Sequence, residues 1–239
     1  MEKKEKIVIG LAILATILAG ILHYVGVNAV LAFGVTAAAL ALLAMIVGDA
    51  TEQLGSRLGP GATGILQSGL GNLPELFVCI FALKAGMANV VQAALVGSIL
   101  GNSLLVFGLA LFLGGLKNGT QRFKSEPPKM IATLMILAVS ALMIPTLAKE
   151  IHTPASEHIE GLSIACAVVL LIVMAASIYF SVKGDKAISP TETEPGQAEW
   201  GLGLTIGILA LSGVGAAFVS DWFVEGLQPA MKILGISET

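Results

Sequence analysis

Seven stretches of this chain are each apolar over a length that can cross a bilayer. They run Ile7–Leu22, Asn28–Val47, Ala62–Leu83, Val90–Leu116, Met130–Leu147, Ile159–Val182 and Trp200–Ser220. A hydrocarbon core about 30 Å thick takes roughly 20 residues of helix. Inside it every backbone N–H and C=O must be paired by the protein itself. Helices achieve this singly, whereas strands need a closed barrel and would alternate apolar with polar residues. The runs here are unbroken, so the expected fold class is all-α: a polytopic transmembrane helical bundle of about seven spans. Composition agrees, with 56% hydrophobic and 12% charged residues, against about 25% charged in soluble domains. The lipid bilayer is an expected partner and nucleic acid is not.

The basic residues set an orientation. With the N-terminus inside, ten of the thirteen Lys and Arg fall on inner segments; only Lys84, Lys149 and Lys232 fall outside. The positive-inside rule then predicts a cytoplasmic N-terminus, in the cell (inner) membrane. Met1–Lys6 is basic, but Ile7–Leu22 lacks a small-x-small cleavage site and reads as a span. Cys79 and Cys166 lie within apolar runs and read as packing residues. His152 and His158, in the outer loop Lys149–Glu160, read as solvated surface. Gly184–Glu199 is rich in Pro, Gly, Thr and Glu, cannot build a core, and reads as an acidic cytoplasmic linker.

Against this background one carboxylate is costly. Glu75 lies inside the third apolar run, where an acidic residue costs roughly 2.5–3.5 kcal/mol on insertion scales. Its surroundings are Gln67-Ser68-Gly69-Leu70-Gly71-Asn72-Leu73-Pro74-Glu75. Two glycines and a proline predict a kinked or broken helix, because Pro74 has no N–H for the carbonyl of Leu70. Asn72 and Glu75 have the spacing of an N-cap with its reciprocal partner, so a half-helix is expected to restart there. Glu75 and Asn72 would offer carboxylate and amide oxygens, a set suited to a hard cation such as Ca²⁺.

The fourth run adds Ser98 and Asn102, four apart and on one helix face. Gly97 and Gly101 lie beside them at a spacing that admits a neighbouring helix. Gln92 lies six residues earlier and reads as lining a path. Asp49 and Glu52 close the second run and read either as interfacial acids or as a cation entrance. Each feature has a plainer reading: packing for the glycines, a backbone hydrogen bond for Ser98, interhelical glue for Asn102, a protonated structural group for Glu75. Their concurrence in two successive runs favours an intramembrane site.

These two polar stretches resemble the first α-repeat of the Ca²⁺/cation antiporter superfamily, and in particular of its Ca²⁺/H⁺ antiporters. The residues are Gly71-Asn72-Leu73-Pro74-Glu75-Leu76, then Val90-Val91-Gln92-Ala93 and Gly97-Ser98-Ile99-Leu100-Gly101-Asn102, linked by Phe81-Ala82-Leu83-Lys84-Ala85-Gly86. Pro74 stands where the family has a smaller or polar residue. The resemblance implies an inverted-repeat antiporter fold of eleven spans, of which this is the N-terminal part. Residues 1–25 would be an extra helix, 26–183 a first five-helix half, 184–199 the linker, and 200–239 the first helix of an incomplete second half. It implies secondary active exchange of Ca²⁺, as substrate, for H⁺. Glu75 would couple the proton, with Asn72, Ser98 and Asn102 as cation ligands or gate residues and Gln92, Glu52 and Asp49 along the pathway. Alternatives are Na⁺-coupled exchange, or exchange of Mn²⁺ or Na⁺. No cofactor and no enzymatic chemistry are expected.

Aligning Leu58–Gly61 with Leu234–Ser237 puts Asp49 on Glu225 and Thr63 on Thr239. This weak internal match makes the seventh run the counterpart of the second. No second Gly-Asn-x-x-Glu follows. The expectation is therefore a partner for Glu75 outside this sequence, in a missing C-terminal half of about four helices or in a second subunit. A homo-oligomer, or a non-transporting half-module that acts only with a partner chain, is the alternative of another class.

Overall fold

The structure, a computed structural model, describes residues 3–26, 28–58, 66–67, 69–120, 126–182 and 198–235. Ser68, most of the acidic linker, Thr63 and Thr239 lie outside those residues. All regular structure among the described residues is helical. The chain forms two units, one of residues 1–57, 66–121 and 197–239, the other of residues 58–65 and 122–196.

The first unit is built on α1 (Lys3–Val25), α2 (Ala29–Gly55) and α8 (Leu202–Leu234). Asn28 starts α2: its side-chain oxygen accepts the N–H groups of Val30 at 3.0 Å and Leu31 at 3.4 Å, satisfying donors that a helix start leaves orphaned. The three helices meet over small residues. Ala12, Ala19, Ala39, Leu43, Ile46, Ala216 and Val219 form the core, and small side chains let backbones approach closely where lipid gives no hydrophobic drive. Buried hydroxyls return to their own helices: Thr36 donates to the Phe33 carbonyl at 2.9 Å, Thr51 to Val47 at 2.6 Å, and Ser212 to Ile208 at 2.7 Å. Phe33 and Phe223 stack at 4.8 Å between ring centres. The remaining helices of this unit are α3 (Leu73–Lys84), α4 (Ala88–Leu100) and α5 (Phe107–Asn118). A π-turn over Gly101–Val106 joins α4 to α5 without a break. α3 packs against α2, α4 and α8.

The second unit is a hairpin of α6 (Glu126–Glu150) and α7 (Ile159–Val182), joined through a 3₁₀ turn over Pro154–His158. His152, in the left-handed region, has its imidazole Nδ1 at 3.0 Å from the Glu150 carbonyl, and Thr153 donates to the Ala148 carbonyl.

Among the described residues six helical segments are long and apolar enough to span a membrane. The shorter α3 is the remainder of the third predicted span. Two helices outrun their predicted ends by about two turns or more. α2 continues past Val47 to Gly55, and α8 past Ser220 to Leu234. Charges at Asp49, Glu52, Asp221, Glu225 and Lys232 end the apolar signal there. The helices continue because Ala50, Thr51, Val224 and Ala230 are still buried.

Candidate functional site

The third predicted span is broken, not merely kinked. After the short helical residues around Leu66, a tight turn is held by Leu70 N–H to the Leu66 carbonyl at 2.7 Å and Gly71 N–H to the same carbonyl at 3.3 Å. Gly71 is required there, since a Cβ at this position would collide with the backbone oxygen of Gln67. α3 then starts afresh with Asn72 at its N-cap position and buried Pro74 in the first turn, where a missing N–H costs nothing.

Two local expectations change. Asn72 makes no side-chain cap hydrogen bond. One donor it would take, at the second helical position, belongs to Pro74 and does not exist. Nor is the Leu70 carbonyl left over: it accepts the N–H of Leu73 at 3.2 Å. The turn replaces the helical bond that proline removes.

Glu75 therefore occupies the first turn of α3, where the helix dipole favours a negative group. Its side chain is exposed, as are those of Asn72, Ser98, Asn102 and Gln92. The chain turns sharply at the end of α3. Met87 N–H bonds the Ala82 carbonyl at 2.8 Å, Gly86 N–H bonds Leu83 at 3.0 Å, and Gly86 adopts φ 76°. This is a Schellman stop, whose left-handed residue favours glycine. α4 starts at once and packs back on α3. At 1.5 Å per residue, Glu75 lies about 14 Å from the end of α3 and Ser98 about 15 Å from the start of α4. Counted along the two helices, Glu75 and Ser98 are thus at similar distances from the α3–α4 turn, with Asn102 about one turn further along and Gln92 nearer the turn. Asn102 falls in the π-turn, a backbone form that recurs at functional sites. Nothing described outside the helix's own backbone lies within 4 Å of a Cβ built at Gly97 or Gly101.

Asp49 and Glu52 stand on the last turns of α2. Beside them lies an anchor that sequence reasoning did not find. Trp200 is 2% exposed. Its indole N–H donates to Glu5 Oε2 at 3.0 Å, its backbone N–H to Gln53 Oε1 at 3.2 Å, and its carbonyl accepts from the Arg57 guanidinium. Gln53 also accepts the N–H of Glu199 at 2.9 Å. The approach to α8 is thereby fastened to the ends of α1 and α2. Among the described residues no group of three or more His, Cys, Asp or Glu is placed to hold a metal ion.

Comparison with known proteins gives a consistent picture. The family model described as "Sodium/calcium exchanger protein" matches residues 28–183. A Ca²⁺/H⁺ antiporter of Synechocystis sp. is 34% identical over 99% of this chain and 68% of its own length. One of Aphanothece halophytica is 33% identical over 90% of this chain and 62% of its own length. The solved structure of native YfkE superposes with a TM-score of 0.77 at 27% identity, covering 97% of this chain and 65% of that one. The chain thus spans roughly two-thirds of the length of the relatives it matches.

Proposed function

Since this chain belongs to the sodium/calcium exchanger family and, within it, to the Ca²⁺/H⁺ antiporters, we propose that it exchanges Ca²⁺ for protons across a membrane, with Glu75 as the group that carries either ion. The observation that supports this most is the broken third span. The chain departs from helix at the cost of a turn, and resumes with a carboxylate in the first turn of α3. Backbone of this kind within a membrane is tolerated only where it is covered by protein or faces a wet cavity.

The chemistry follows from the donor set. Ionised, Glu75 supplies charge and, with the amide oxygens of Asn72 and Asn102 and the hydroxyl of Ser98, a hard oxygen environment of the kind Ca²⁺ takes. Protonated, it crosses the return step without a net charge. Exchange results because the two ions compete for one carboxylate. A Ca²⁺ ion takes six to eight oxygens, more than these side chains give. The rest can come from water, from backbone carbonyls, or from a second polar segment in further chain or in a second subunit. Asp49 and Glu52, at the end of α2, form the acidic approach, and Gln92 lines the opposite side of the path. The match over residues 28–183 supports reading 26–183 as one five-helix half. The excess of basic residues on one set of loops supports a cytoplasmic N-terminus in the cell membrane.

The test uses the full-length protein in vesicles with an imposed pH gradient. Calcium uptake should collapse in Glu75→Gln and fall in Ser98→Ala and Asn102→Ala. Unchanged uptake in Glu75→Gln would overturn the reading. Replacing Ca²⁺ by Mn²⁺, or the pH gradient by a Na⁺ gradient, separates this exchange from its Na⁺-coupled variants. Absence of flux from a correctly assembled homo-oligomer would instead favour a half-module.

A further inference from the structure

α1 touches α8 through a second polar contact, remote from Trp200. The imidazole of His23 stacks on the indole of Trp222, with ring centres 5.6 Å apart and planes 23° from parallel. Its Nε2 lies 3.4 Å from Glu225 Oε2. Tyr24 closes the group edge-on, 5.0 Å from His23 and 6.1 Å from Trp222. The Trp222 ring reaches this place only because Gly20 leaves room. A Cβ there would stand 3.0 Å from the Cη2 atom of Trp222. Glycine on α1, aromatic ring on α8, and a titratable ring between that aromatic and a carboxylate together make a built contact.

We propose that His23, Trp222 and Glu225 form a proton-sensitive clasp that fastens the end of α1 to α8 and lets pH on that side of the membrane regulate the helix pair. Histidine is the side chain whose ordinary titration lies in the physiological range. As imidazolium it makes an ion pair with Glu225 and a cation–π contact with Trp222. As neutral imidazole it keeps the stack and at most a neutral hydrogen bond. Protonation therefore tightens the clasp. The other ionisable groups on the elements packed here are Tyr24 on α1 and the acidic Asp221 on α8, and α2 bears no charge before Asp49 at its far end. Lys232 lies about two turns further along α8, and Lys84 ends α3. Glu225 keeps 59% of its side chain in solvent, which screens the pair. The gain on protonation is accordingly modest, about five-fold in the closed-to-open ratio.

The inference goes beyond the exchange reading, and its first test does not need transport. The protein contains two tryptophans, so the Trp222 emission is the difference between the protein and its Trp222→Phe variant. Imidazolium stacked on indole quenches emission. Trp222 emission should fall in one step as pH is lowered through the imidazole range, shrink in amplitude in Glu225→Gln, and lose the step in His23→Phe, which keeps a flat ring on the indole. No step in the parent protein, or a step that survives in His23→Phe, would overturn the clasp. The second test is exchange in vesicles. If Glu75→Gln abolishes uptake while His23→Phe leaves its pH dependence unchanged, the clasp does not regulate and the proposal fails. If Glu75→Gln leaves uptake intact, the functional reading fails, and the emission step still decides the clasp by itself.

Discussion

Gly71→Ala is expected to damage the site without touching a polar group. The methyl would overlap the backbone oxygen of Gln67, and backbone cannot rotate away as a side chain can. Relief must come from the turn, which rests on the Leu70–Leu66, Gly71–Leu66 and Leu73–Leu70 hydrogen bonds at 2.7, 3.3 and 3.2 Å. Overpacking costs about 1–3 kcal/mol, and loosening one of the longer bonds adds about 1 kcal/mol. The expected loss of stability is thus roughly 2–4 kcal/mol. Because the turn aims the first residues of α3, Glu75 should move too, and a shift of about 1 Å costs up to a hundred-fold in rate when groups must be positioned. The assay pairs thermal unfolding in detergent with calcium uptake in vesicles. Gly69→Ala is the control: two residues away, its Cβ would meet nothing among the described residues within 4 Å, so it should be neutral. If Gly71→Ala matched Gly69→Ala in both measurements, the turn would not be held as described.

Two other expectations concern the scaffold. Ser220 is fully buried, and its hydroxyl has no hydrogen-bond partner among the described residues. Ser220→Ala should therefore raise stability by about 1 kcal/mol, read as a higher unfolding temperature; a fall would show that the hydroxyl is paired. Trp200→Ala should cost about 3–5 kcal/mol through loss of a buried aromatic. Trp200→Phe should cost less, about 1.5–3 kcal/mol, mainly through the lost indole donor to the Glu5 carboxylate. Equal costs, measured by denaturant or thermal unfolding, would mean that packing is not what holds the anchor.

Much of the fold was legible because it rests on local hydropathy. The predicted limits of α7 coincide with the observed ones, and those of α4–α5 lie within two residues at each end. Errors fall where the helix outlasts its apolar signal, as on α8, whose far end carries Asp221, Glu225 and Lys232 while Val224 and Ala230 still face the core. The break before Glu75 was visible in Gly71 and Pro74, since each limits the backbone by its own chemistry. The predicted capping box did not form: Asn72 makes no side-chain cap hydrogen bond. The clasps at Trp200 and at His23 were not visible. Gln53 and Trp200 lie 147 residues apart, and no local pattern in one sequence pairs such residues. The π-turn at Asn102 is a backbone event, with no composition to announce it.

The exchange account rests on Glu75 giving up a proton when calcium arrives. Infrared difference spectra of the full-length protein, recorded as calcium is added near the pH at which exchange runs, observe that event directly. A protonated carboxyl C=O band should disappear on calcium addition, with carboxylate bands rising, and both changes should be absent in Glu75→Gln. The same band loss in Glu75→Gln, or no loss in the native protein at saturating calcium, would mean that the proton leaves from another group.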